Sequence, residues 1–394
     1  MAGTHLDKRI ILKKNEERRI LRGHPWVFSN EIRETLGAPG AGDVVELMQA
    51  SGKTLGIGFY HPHSLIAFRL LSAETEDIDT SFFLRRFEAA LSLRTMLYPG
   101  AKTFRLLNGE ADHLPGIVVD KYNEYLVVQT FSLGMDTRLP TICDALDSMF
   151  HPAGIIERNE SSLRLLEGLP QKKGTLRGTV SPTTIEEHGL RYRVDLQEGQ
   201  KTGFFLDQRE NRAAAARYCR SGNILDCFCN DGGFSLNVAR AGATSVLGLD
   251  ASQEAVARAS ANAAMNGITT VRFEQSDVFD RLTKLAQEEY RFDAVILDPP
   301  SFTRTRKNVQ PAKKGYRELH QKALAVLKKG GTLLTASCSH HIEPEVFLEL
   351  VDDTARRCGR SLQLLEWKGA APDHPTLPAV PETRYLKFGV FRVQ

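Results

Sequence analysis

Short apolar runs alternate with longer amphipathic segments through the second half of the chain. The runs, rich in Val, Ile, Leu and Phe, occupy residues 224–226, 246–250, 271–273, 294–298 and 332–335. The segments between them have helical spacing. Alternating strands and helices are typical of a parallel sheet with helices on both faces. This pattern predicts an α/β domain that begins near residue 199 and runs to residue 394.

Frequent Gly and Pro residues break residues 1–75 into short stretches. Residues 43–47 and 66–70 mix apolar and polar positions in the manner of short strands. Many short strands between turn signals are typical of a small β-barrel or roll. The first 22 residues also carry an excess of basic side chains. That excess has two interpretations, a solvated face or a patch that contacts RNA.

Residues 76–198 combine helical and strand-like spacing. A helix is predicted over residues 82–97. The polar stretch Gln171–Pro182 contains two glycines and is expected to be a loop. Residues 185–196 are expected to form a β-hairpin that turns at His188-Gly189. The region is therefore predicted to be a central α+β domain.

The composition is that of an ordinary globular protein. At about 150 residues per domain, 394 residues suggest two or three domains. Hydrophobic residues make up 42% and charged residues 25%, which argues against wholesale disorder. Since 51 Lys and Arg residues face 48 Asp and Glu residues, the net charge is only +3. Any nucleic-acid surface must therefore be local.

The cysteine and apolar patterns bear on compartment and metal binding. Six cysteines are too few for a disulfide scaffold, and they lack the paired CxxC spacing of a structural zinc site. The first 14 residues have no apolar segment of the kind that signals secretion. No uncharged apolar stretch reaches the roughly 18 residues that a membrane helix needs. We expect a cytoplasmic protein with no metal and no membrane partner, whose oligomeric state the sequence leaves open.

A glycine-containing loop follows the first predicted strand of the α/β domain. It spans Asp226–Ser235 and contains Gly232 and Gly233, but it lacks the GxGxxG spacing suited to a dinucleotide pyrophosphate. Asp250 ends the next strand, where a carboxylate can accept the hydroxyl groups of a ribose. Asp277 follows the third strand and can meet an adenine amino group. Together these features predict a nucleoside cofactor without phosphates, which S-adenosylmethionine fits.

Each of these features alone has a structural explanation. A pair of glycines in a loop is usually only a turn, and an Asp at the end of a strand is often the N-cap of the next helix. The order in which they occur along the chain is what favours S-adenosylmethionine.

The turn Asp298-Pro299-Pro300-Ser301-Phe302 follows the fourth predicted strand. Two prolines alone would make a stiff turn. The position, however, faces the predicted methyl donor, and turns of this type are typical of methyltransferases that act on nucleobases or other planar nitrogenous groups. Asp298 can contact an exocyclic amino group and a ring nitrogen, and Phe302 can stack on a base.

Cys338 lies at the end of the fifth predicted strand. A cysteine in such a place is commonly only packed in the core. Because parallel strands bring their carboxyl ends to one edge, Cys338 is expected at the same edge as Asp298. A thiolate that adds to C6 of cytosine makes C5 able to accept a methyl group. This placement therefore predicts covalent catalysis with Cys338 as the nucleophile.

A basic segment follows the Asp298 turn. Residues 301–317 contain a series of basic side chains and no acidic ones. Its position beside the predicted site favours a loop that contacts RNA phosphates over a merely solvated face. The basic side chains are Arg304, Arg306, Lys307, Lys313, Lys314 and Arg317.

The chain resembles the bacterial large-subunit ribosomal RNA cytosine-C5 methyltransferase I family, whose members carry an N-terminal PUA domain. The resemblance spans nearly the whole chain, and its most specific part is the run from Lys201 to Arg209. The matching segments are His24–Ser29, Leu114–Ile117, Ile185–Gly189, Lys201–Arg209, Gly232–Phe234, Asp298–Phe302, Ser337–Ser339 and Tyr385–Lys387.

The resemblance implies an N-terminal PUA β-barrel over residues 1–75, a central α+β domain over 76–198 and a Rossmann-like class I methyltransferase domain over 199–394. It implies Cys338 as the nucleophile and Asp298 as a residue that contacts the base. It also implies a large-subunit (23S) ribosomal RNA partner. The expected cofactor-binding residues are Gln208, Asp226, Phe228, Gly232, Asp250, Asp277 and Asp298.

Two alternatives remain open at this point. The Asp298 turn also suits methylation of an exocyclic amine of an RNA base without a covalent step. The second alternative is an RNA-binding ribosome-assembly factor that has lost catalysis. The three cofactor carboxylates and Cys338 argue against that last possibility.

Overall fold

The computed structural model describes residues 6–199, 202–303 and 306–394, with only the backbone of residue 306. These residues divide into two compact units. Unit 1 is made of Met1–Ile185, Val194–Phe205 and Pro372–Thr383. Unit 2 is made of Glu186–Arg193, Leu206–Ala371 and Arg384–Gln394. None of the helices in the described ranges is both long enough and apolar enough to cross a membrane.

The first sheet of unit 1 is built from the N-terminal stretches of short, Gly-separated strands. Its strand order is β2-β6-β5-β4-β1-β3, and the apolar side chains of Ile10, Val45 and Phe68 form part of its core. The strands predicted at 43–47 and 66–70 are present as β4 and β6. The elements are β1 (Arg9–Leu12), α1 (Arg18–Leu21), β2 (Trp26–Phe28), β3 (Ile32–Leu36), β4 (Val44–Met48), β5 (Thr54–Tyr60) and β6 (Ile66–Ser72).

The second sheet of unit 1 has the order β11-β10-β9-β8-β7 and packs against helices. The predicted helix over 82–97 is confirmed, since α2 buries Phe82, Phe83 and Phe87 in the core of this sheet. The elements are α2 (Thr80–Leu97), β7 (Thr103–Asn108), β8 (Ile117–Tyr122), β9 (Tyr125–Thr130), α3 (Leu133–Asp136), α4 (Leu139–Phe150), β10 (Gly154–Asn159) and β11 (Lys172–Gly178).

The expectation of a loop over Gln171–Pro182 is wrong for most of that stretch. Lys172–Gly178 forms β11, which pairs antiparallel with β10 at the edge of the sheet. An edge strand pairs on one side only and can keep polar side chains in water, so it needs no apolar run. Lys172, for example, points its ammonium to Glu157 at 3.2 Å. The polar composition of residues 172–178 is therefore compatible with an edge strand, although it does not predict one from the sequence.

The predicted hairpin is confirmed as β12 (Thr183–Glu187) and β13 (Leu190–Val194). His188 and Gly189 form the turn, with φ of 51° and 73°. Positive φ at both central positions is the geometry of a tight hairpin turn, and it favours glycine at the second position. The hairpin matters for the site because its residue Glu187 is part of unit 2.

The sheet of unit 2 has the order β16-β15-β14-β17-β18-β20-β19. Neighbouring strands from β16 to β18 are parallel, as predicted. The elements are α5 (Arg209–Tyr218), β14 (Asn223–Cys227), α6 (Gly233–Arg240), β15 (Ser245–Asp250), α7 (Gln253–Met265), β16 (Val271–Gln275), α8 (Val278–Gln287), β17 (Phe292–Leu297), α9 (Val309–Val326), β18 (Leu327–Ser337), α10 (Pro344–Arg357), β19 (Leu362–Lys368) and β20 (Lys387–Val393).

Two strands of this sheet depart from the predicted parallel pattern. β20 runs antiparallel to β18, and β19 runs antiparallel to β20. The register places Lys387 opposite Ser337. The last strand therefore begins at the edge at which β18 ends.

The carboxyl ends of β14, β15, β17 and β18 meet at one edge of the sheet, because these strands are parallel neighbours. The chain order reverses at β14, which lies between β15 and β17. In open α/β sheets, ligands bind outside the carboxyl ends of the strands at such a switch point. The fold thus locates the candidate site from its topology alone.

Candidate functional site

The loop between β14 and α6 is held in a conformation that few side chains adopt. Phe228 and Asn230 have positive φ of 67° and 45°, and Gly232 has φ of 80°. A Cβ atom on Gly232 would approach the ring of Phe273 to 2.9 Å. Gly232 is therefore required both by its backbone conformation and by the space around it. Non-glycine residues at positive φ cost free energy and are concentrated at functional sites.

Asp226 lies at the base of this loop and is fully buried. Its Oδ2 accepts hydrogen bonds from the backbone N–H and the hydroxyl group of Ser235, at 2.9 and 2.6 Å. Its Oδ1 has no partner among the described residues. Burial raises the pKa of the Asp226 carboxyl to about 7, and the carboxylates of Asp298 and Asp250 add to the shift. A buried acceptor without a partner is a place where a ligand donor fits.

Asp250, the last residue of β15, anchors the loop from the neighbouring strand. Its two carboxylate oxygens accept hydrogen bonds from the backbone N–H groups of Asn230, at 2.9 Å, and Ser252, at 3.0 Å. The side chain is only half-buried. Each carboxylate oxygen has further lone pairs, so the group can still accept from the hydroxyl groups of a ribose.

Helix α7 holds the same loop from a second direction. The Nε atom of Arg258 donates to the carboxylate of Asp231 at 2.6 Å, and the side-chain amide of Asn262 donates to the Asp231 carbonyl at 3.0 Å. Sequence reasoning missed both residues. Neither stands in a recognisable motif, because helical positions that face a loop differ little from other polar positions.

Asp277, the predicted contact for adenine, has a structural role in the fold. It is the N-cap of α8, and its Oδ1 accepts from the backbone N–H of Asp280 at 3.0 Å. The residue is exposed just beyond β16. The capping interpretation and the adenine interpretation are compatible, since one oxygen of a carboxylate can cap while the other accepts from a ligand.

A buried cluster of charged side chains packs against the end of the glycine-containing loop. Both oxygens of Glu187 accept from the guanidinium group of Arg212, at 2.6 and 2.8 Å, and Arg209 donates to the same carboxylate at 3.4 Å. Although burial alone would raise it, the pKa of Glu187 is lowered by these arginines. A Cβ on Gly233 would lie 2.9 Å from the Cδ atom of Arg212. The cluster therefore fixes the start of α6 through close packing.

Gln208 precedes α5 and is buried. Its side-chain oxygen accepts from the amide of Asn211 at 2.6 Å. The neighbouring Asp207 accepts from the hydroxyl group of Tyr385, also at 2.6 Å. These bonds order the segment that the resemblance places beside the cofactor.

The structure brings the Asp298 turn and the Cys338 segment together. The hydroxyl groups of Ser301 and Ser339 lie 3.3 Å apart. The hydroxyl group of Tyr316 donates to Ser337 at 2.8 Å and lies 3.1 Å from the oxygen of Ser339. Cys338 follows β18 directly and is half-buried, as is Asp298 after β17. The two residues thus share the edge of the sheet that the sequence predicts.

Tyr316 was not singled out by sequence reasoning, yet it lies at the centre of this arrangement. Its ring is fully buried and contacts Phe302, with centroids 4.6 Å apart. Burial raises the pKa of its hydroxyl to about 12, and the charges of Cys338 and Asp298 contribute to that shift. Tyr316 therefore stays protonated and acts as a hydrogen-bond donor that ties the two segments together.

Lys387 is a second residue that sequence reasoning left without a role. It is buried, and its ammonium group donates to the carbonyl oxygens of Ser339 and Tyr385, both at 2.8 Å. Burial lowers the pKa of Lys387 to about 8, although Cys338 and Glu343 act in the opposite direction. The only sequence signal was its place in the resemblance near the end of the chain.

The predicted RNA-binding residues are described in part. Lys307 and Lys314 are exposed and Lys313 is half-buried on or next to α9. Arg304 lies outside the described residues, as does the side chain of Arg306. Phe302 is partly buried and packs on the core, where it contacts Tyr316 and Phe279. A base that stacks on Phe302 would therefore meet a ring that is already held in place.

The site residues fit S-adenosylmethionine. The open Oδ1 of Asp226 can accept from the ammonium group of the cofactor, and Asp250 can accept from its ribose. Carboxylates at this edge also suit the positive charges of the cofactor. Gly232 keeps the loop free of a side chain where the ligand would approach.

Two family models match the chain. A PUA-like domain matches residues 10–73, and an S-adenosylmethionine-dependent methyltransferase matches residues 176–392. The chain is also similar to the structure of a candidate methyltransferase complexed with S-adenosylhomocysteine, with a TM-score of 0.85 and 20% identity over 98% of this chain and 99% of that one. At that identity the likeness shows a shared fold. The cofactor expected from the sequence, S-adenosylmethionine, is confirmed by the methyltransferase match.

Curated relatives match over nearly their whole length. Ribosomal RNA large subunit methyltransferase I of Shewanella denitrificans is 40% identical, with 98% of this chain and 99% of the relative covered. The protein of the same name from Tolumonas auensis is 38% identical, with 97% of this chain and 98% of the relative covered. Such identity over complete chains extends to both the PUA-like and the methyltransferase segments, and the chain belongs to the ribosomal RNA large subunit methyltransferase I family.

Proposed function

We propose that this chain transfers a methyl group from S-adenosylmethionine to C5 of a cytosine in large-subunit (23S) ribosomal RNA, in the cytoplasm, with Cys338 as the nucleophile. The observation that carries the proposal is the junction of the Asp298 turn with the Cys338 segment. It rests on the 3.3 Å contact between Ser301 and Ser339 and on the bonds of Tyr316 to Ser337 and Ser339.

The proposed cofactor site lies at the carboxyl ends of β14 and β15. Asp226 and Asp250 would hold the ammonium and ribose groups, and Gln208, Phe228, Gly232 and Asp277 would line the rest of the site. Bound S-adenosylmethionine supplies an electrophilic methyl group. Asp298, whose charge raises the pKa of the Asp226 carboxyl, lies between this cluster and Cys338.

The chemical half of the proposal uses the thiol of Cys338. Cytosine C5 is a weak nucleophile. When the thiolate forms a bond to C6, the C5–C6 double bond opens and electron density moves to C5, which can then take the methyl group. Removal of the C5 proton by a base restores the double bond as the carbon–sulfur bond breaks. The thiolate is regenerated, so the enzyme is unchanged.

Asp298 would orient the target base. Its half-buried carboxylate can accept a hydrogen bond from the exocyclic amino group of cytosine. A base in folded RNA must leave its stack to reach this edge, at a cost of a few kcal/mol. Contacts to phosphates by Arg304, Arg306, Lys307, Lys313 and Lys314 would offset that cost.

The N-terminal segment offers a second place for RNA. Arg18, Arg19 and Arg22 line a cavity of about 580 Å³ in unit 1. Glu31 partly neutralises it, since its carboxylate lies 3.1 Å from Arg19. The remaining positive charge suits the phosphate backbone, which PUA-type barrels contact along with the shape of the RNA.

One observation favours a second candidate function. The carboxylate of Asp298 followed by two prolines suits deprotonation of an exocyclic amine, and this chemistry needs no thiol. N-methylation of an RNA base would leave Cys338 as a residue that only packs beside the site.

Replacement of the thiol separates these two candidates. We expect Cys338→Ala to lose at least about a thousandfold in methyl incorporation into unmodified ribosomal RNA from tritiated cofactor, because the covalent step is removed. The variant should still bind S-adenosylmethionine in calorimetry, which shows that it is folded. Cys358→Ala removes the other half-buried cysteine and should keep full activity. Full activity of Cys338→Ala would instead support N-methylation.

A mechanism-based trap tests the adduct directly. In RNA that carries 5-fluorocytosine, the fluorine at C5 cannot leave as a proton does, so the bond between Cys338 and C6 persists. We expect a protein–RNA complex that survives denaturing electrophoresis with the wild type and with Cys358→Ala, but not with Cys338→Ala. Mass spectrometry of the methylated nucleoside then identifies the base and the position.

A further inference from the structure

Among the described residues, the buried ammonium group of Lys387 forms no ion pair with a carboxylate. The side chain is 2% exposed, and its partners among the described residues are the carbonyl oxygens of Ser339 and Tyr385. None of those described residues forms an ion pair with it. A buried charge that is not paired is costly, so such a group usually has a counter-charge in some state of the protein.

The position of Lys387 indicates which group that is. In the antiparallel pair of β18 and β20, Lys387 lies opposite Ser337, the residue before Cys338. Its ammonium group binds the carbonyl of Ser339, the residue after Cys338. Lys387 therefore contacts the chain on both sides of the thiol, although the two residues are distant in sequence.

Other charged and titratable groups face this region. Among the described residues they include Asp298 after β17, Tyr316 of α9, His340, and Glu343 at the N-cap of α10. Tyr316 stays protonated, and Glu343 is exposed. A negative charge on the Asp298 carboxyl would disfavour a thiolate. Among the described residues that contact the Cys338 segment, Lys387 is a buried positive group that can favour one.

We propose that Lys387 is a positioning residue that fixes the Cys338 segment through the Ser339 carbonyl and stabilises the Cys338 thiolate by its positive charge. In the thiol form, the direct partners of the ammonium group among the described residues are two carbonyl oxygens, and the carboxylate of Glu343 acts on it without forming an ion pair. When the thiol releases its proton to solvent, the resulting thiolate adds a negative charge near the ammonium group. This inference rests on the proposed function, because it takes Cys338 as the reacting thiol.

The wild-type protein provides the first test. Cys338 and Cys358 are both half-buried. Cys338 is the thiol under test, and Cys358 is the reference thiol in the same protein. Alkylation by iodoacetamide is followed against pH on the free enzyme, with no RNA and no cofactor, and each cysteine is quantified by mass spectrometry of its own peptide. We expect the alkylation profile of Cys338 to have its midpoint at least about one pH unit below that of Cys358, because the opposite charge of Lys387 favours the Cys338 thiolate while burial raises the pKa of the Cys358 thiol. Equal or reversed midpoints would overturn the proposal.

Variants of the lysine provide the second test. Lys387→Met keeps the apolar stem and removes the charge, so the alkylation rate of Cys338 near neutral pH should fall roughly tenfold. Lys387→Arg keeps a positive donor and should retain most of the wild-type rate. Lys328→Met, at the exposed start of β18, the strand that leads to Cys338, is the matched control and should change nothing. If Lys387→Met folds and its profile equals that of the wild type, the charge has no such role.

Methyl transfer gives an independent measurement. In Lys387→Met, kcat should fall at neutral pH and recover as the pH rises, because higher pH restores the thiolate without the lysine. A purely structural role predicts a loss that does not depend on pH. The alkylation profiles are measured without RNA. Their outcome therefore tests the role of Lys387 independently of which base the enzyme methylates.

Discussion

The hydroxyl oxygens of Ser301 and Ser339 lie 3.3 Å apart, and this contact joins two segments that are separate in the sequence. Ser301 belongs to the turn that begins at Asp298, and Ser339 follows Cys338. Tyr316 completes the junction through its bonds to Ser337 and Ser339. The carboxylate and the thiol of the candidate site are therefore held by a shared set of buried hydroxyl groups.

Loss of the Tyr316 hydroxyl should loosen this junction. Tyr316→Phe keeps the ring contacts with Phe302 but removes the hydrogen-bond partner that the hydroxyl groups of Ser337 and Ser339 share. We expect the free energy of unfolding to fall by about 1–2 kcal/mol. Methyl transfer should fall as well, because Cys338 is less well positioned. Urea unfolding and tritium incorporation measure the two effects.

An exposed tyrosine supplies the control for that variant. Tyr290→Phe removes a hydroxyl group from a side chain that is 45% exposed, and it should change neither measurement. Unchanged stability and activity in Tyr316→Phe would contradict a role for the junction.

Asp226 should make stability depend on pH. Burial raises the pKa of its carboxyl to about 7 in the folded protein, whereas it is about 3.9 in an unfolded chain. As the pH falls through this window, the folded protein takes up a proton that the unfolded chain does not. The contribution of Asp226 to stability is therefore fully present below about pH 4 and is lost as the pH rises towards about 7. Asp226→Asn should lack this dependence.

The measurement is the difference in unfolding free energy between wild type and Asp226→Asn at several pH values. The wild type should lose stability relative to the variant as the pH rises from about 4 to about 7, and the difference should level off above that. A constant difference would show that Asp226 has an ordinary pKa. Calorimetry with S-adenosylmethionine adds a ligand readout, since the affinity of the wild type should tighten over the same range as the carboxylate forms.

The two carboxylates beyond β15 and β16 should differ in importance. Asp250→Ala removes an acceptor for the ribose and the two backbone hydrogen bonds that order the loop. We expect its affinity for S-adenosylmethionine to fall at least about tenfold, which corresponds to roughly 1.4 kcal/mol. Calorimetry measures this loss directly.

Asp277→Ser is the matched variant at the neighbouring strand. Serine keeps the N-cap of α8, so stability should change little, and any loss of cofactor affinity then reports the contact with adenine alone. Unchanged affinity in Asp277→Ser would leave this residue with its capping role only.

The basic segment should set the salt dependence of RNA binding. Replacement of Lys307, Lys313 and Lys314 by Gln removes charges from exposed or half-exposed positions. For single-stranded RNA, each lost phosphate contact should reduce the slope of log affinity against log salt by about 0.7. Filter binding at several salt concentrations measures the slope. The same change at Arg356 and Arg357, which lie on α10, should leave it unaltered.

Much of the site could be predicted because its chemistry follows local patterns. Asp226, Asp250, Asp298 and Cys338 each stand at or near the end of an apolar run. Strands of such runs with helices between them form a parallel sheet, and parallel strands bring their carboxyl ends to one edge. The alternation of apolar runs and helical segments therefore predicts that these residues lie at the same edge of the sheet.

Other contributions depend on contacts between distant parts of the chain. Lys387 and Ser339 are 48 residues apart, and they meet only because β20 runs antiparallel to β18. Glu187 lies 25 residues before Arg212, in a different element. Hydrophobic periodicity reports which face of an element is buried, but it does not report which element covers that face.

The sequence by itself determined the α/β class of the second half of the chain, the glycine-containing loop after β14 and the thiol and carboxylates at the ends of the strands. Tertiary structure alone decided that β11 is a strand, that Tyr316 joins two segments and that Lys387 lies beside the Cys338 segment. The physical reason is the separation along the chain between the residues that interact. Backbone conformation and burial leave a local trace in the order of residues, whereas hydrogen bonds between distant side chains exist only after the chain has packed.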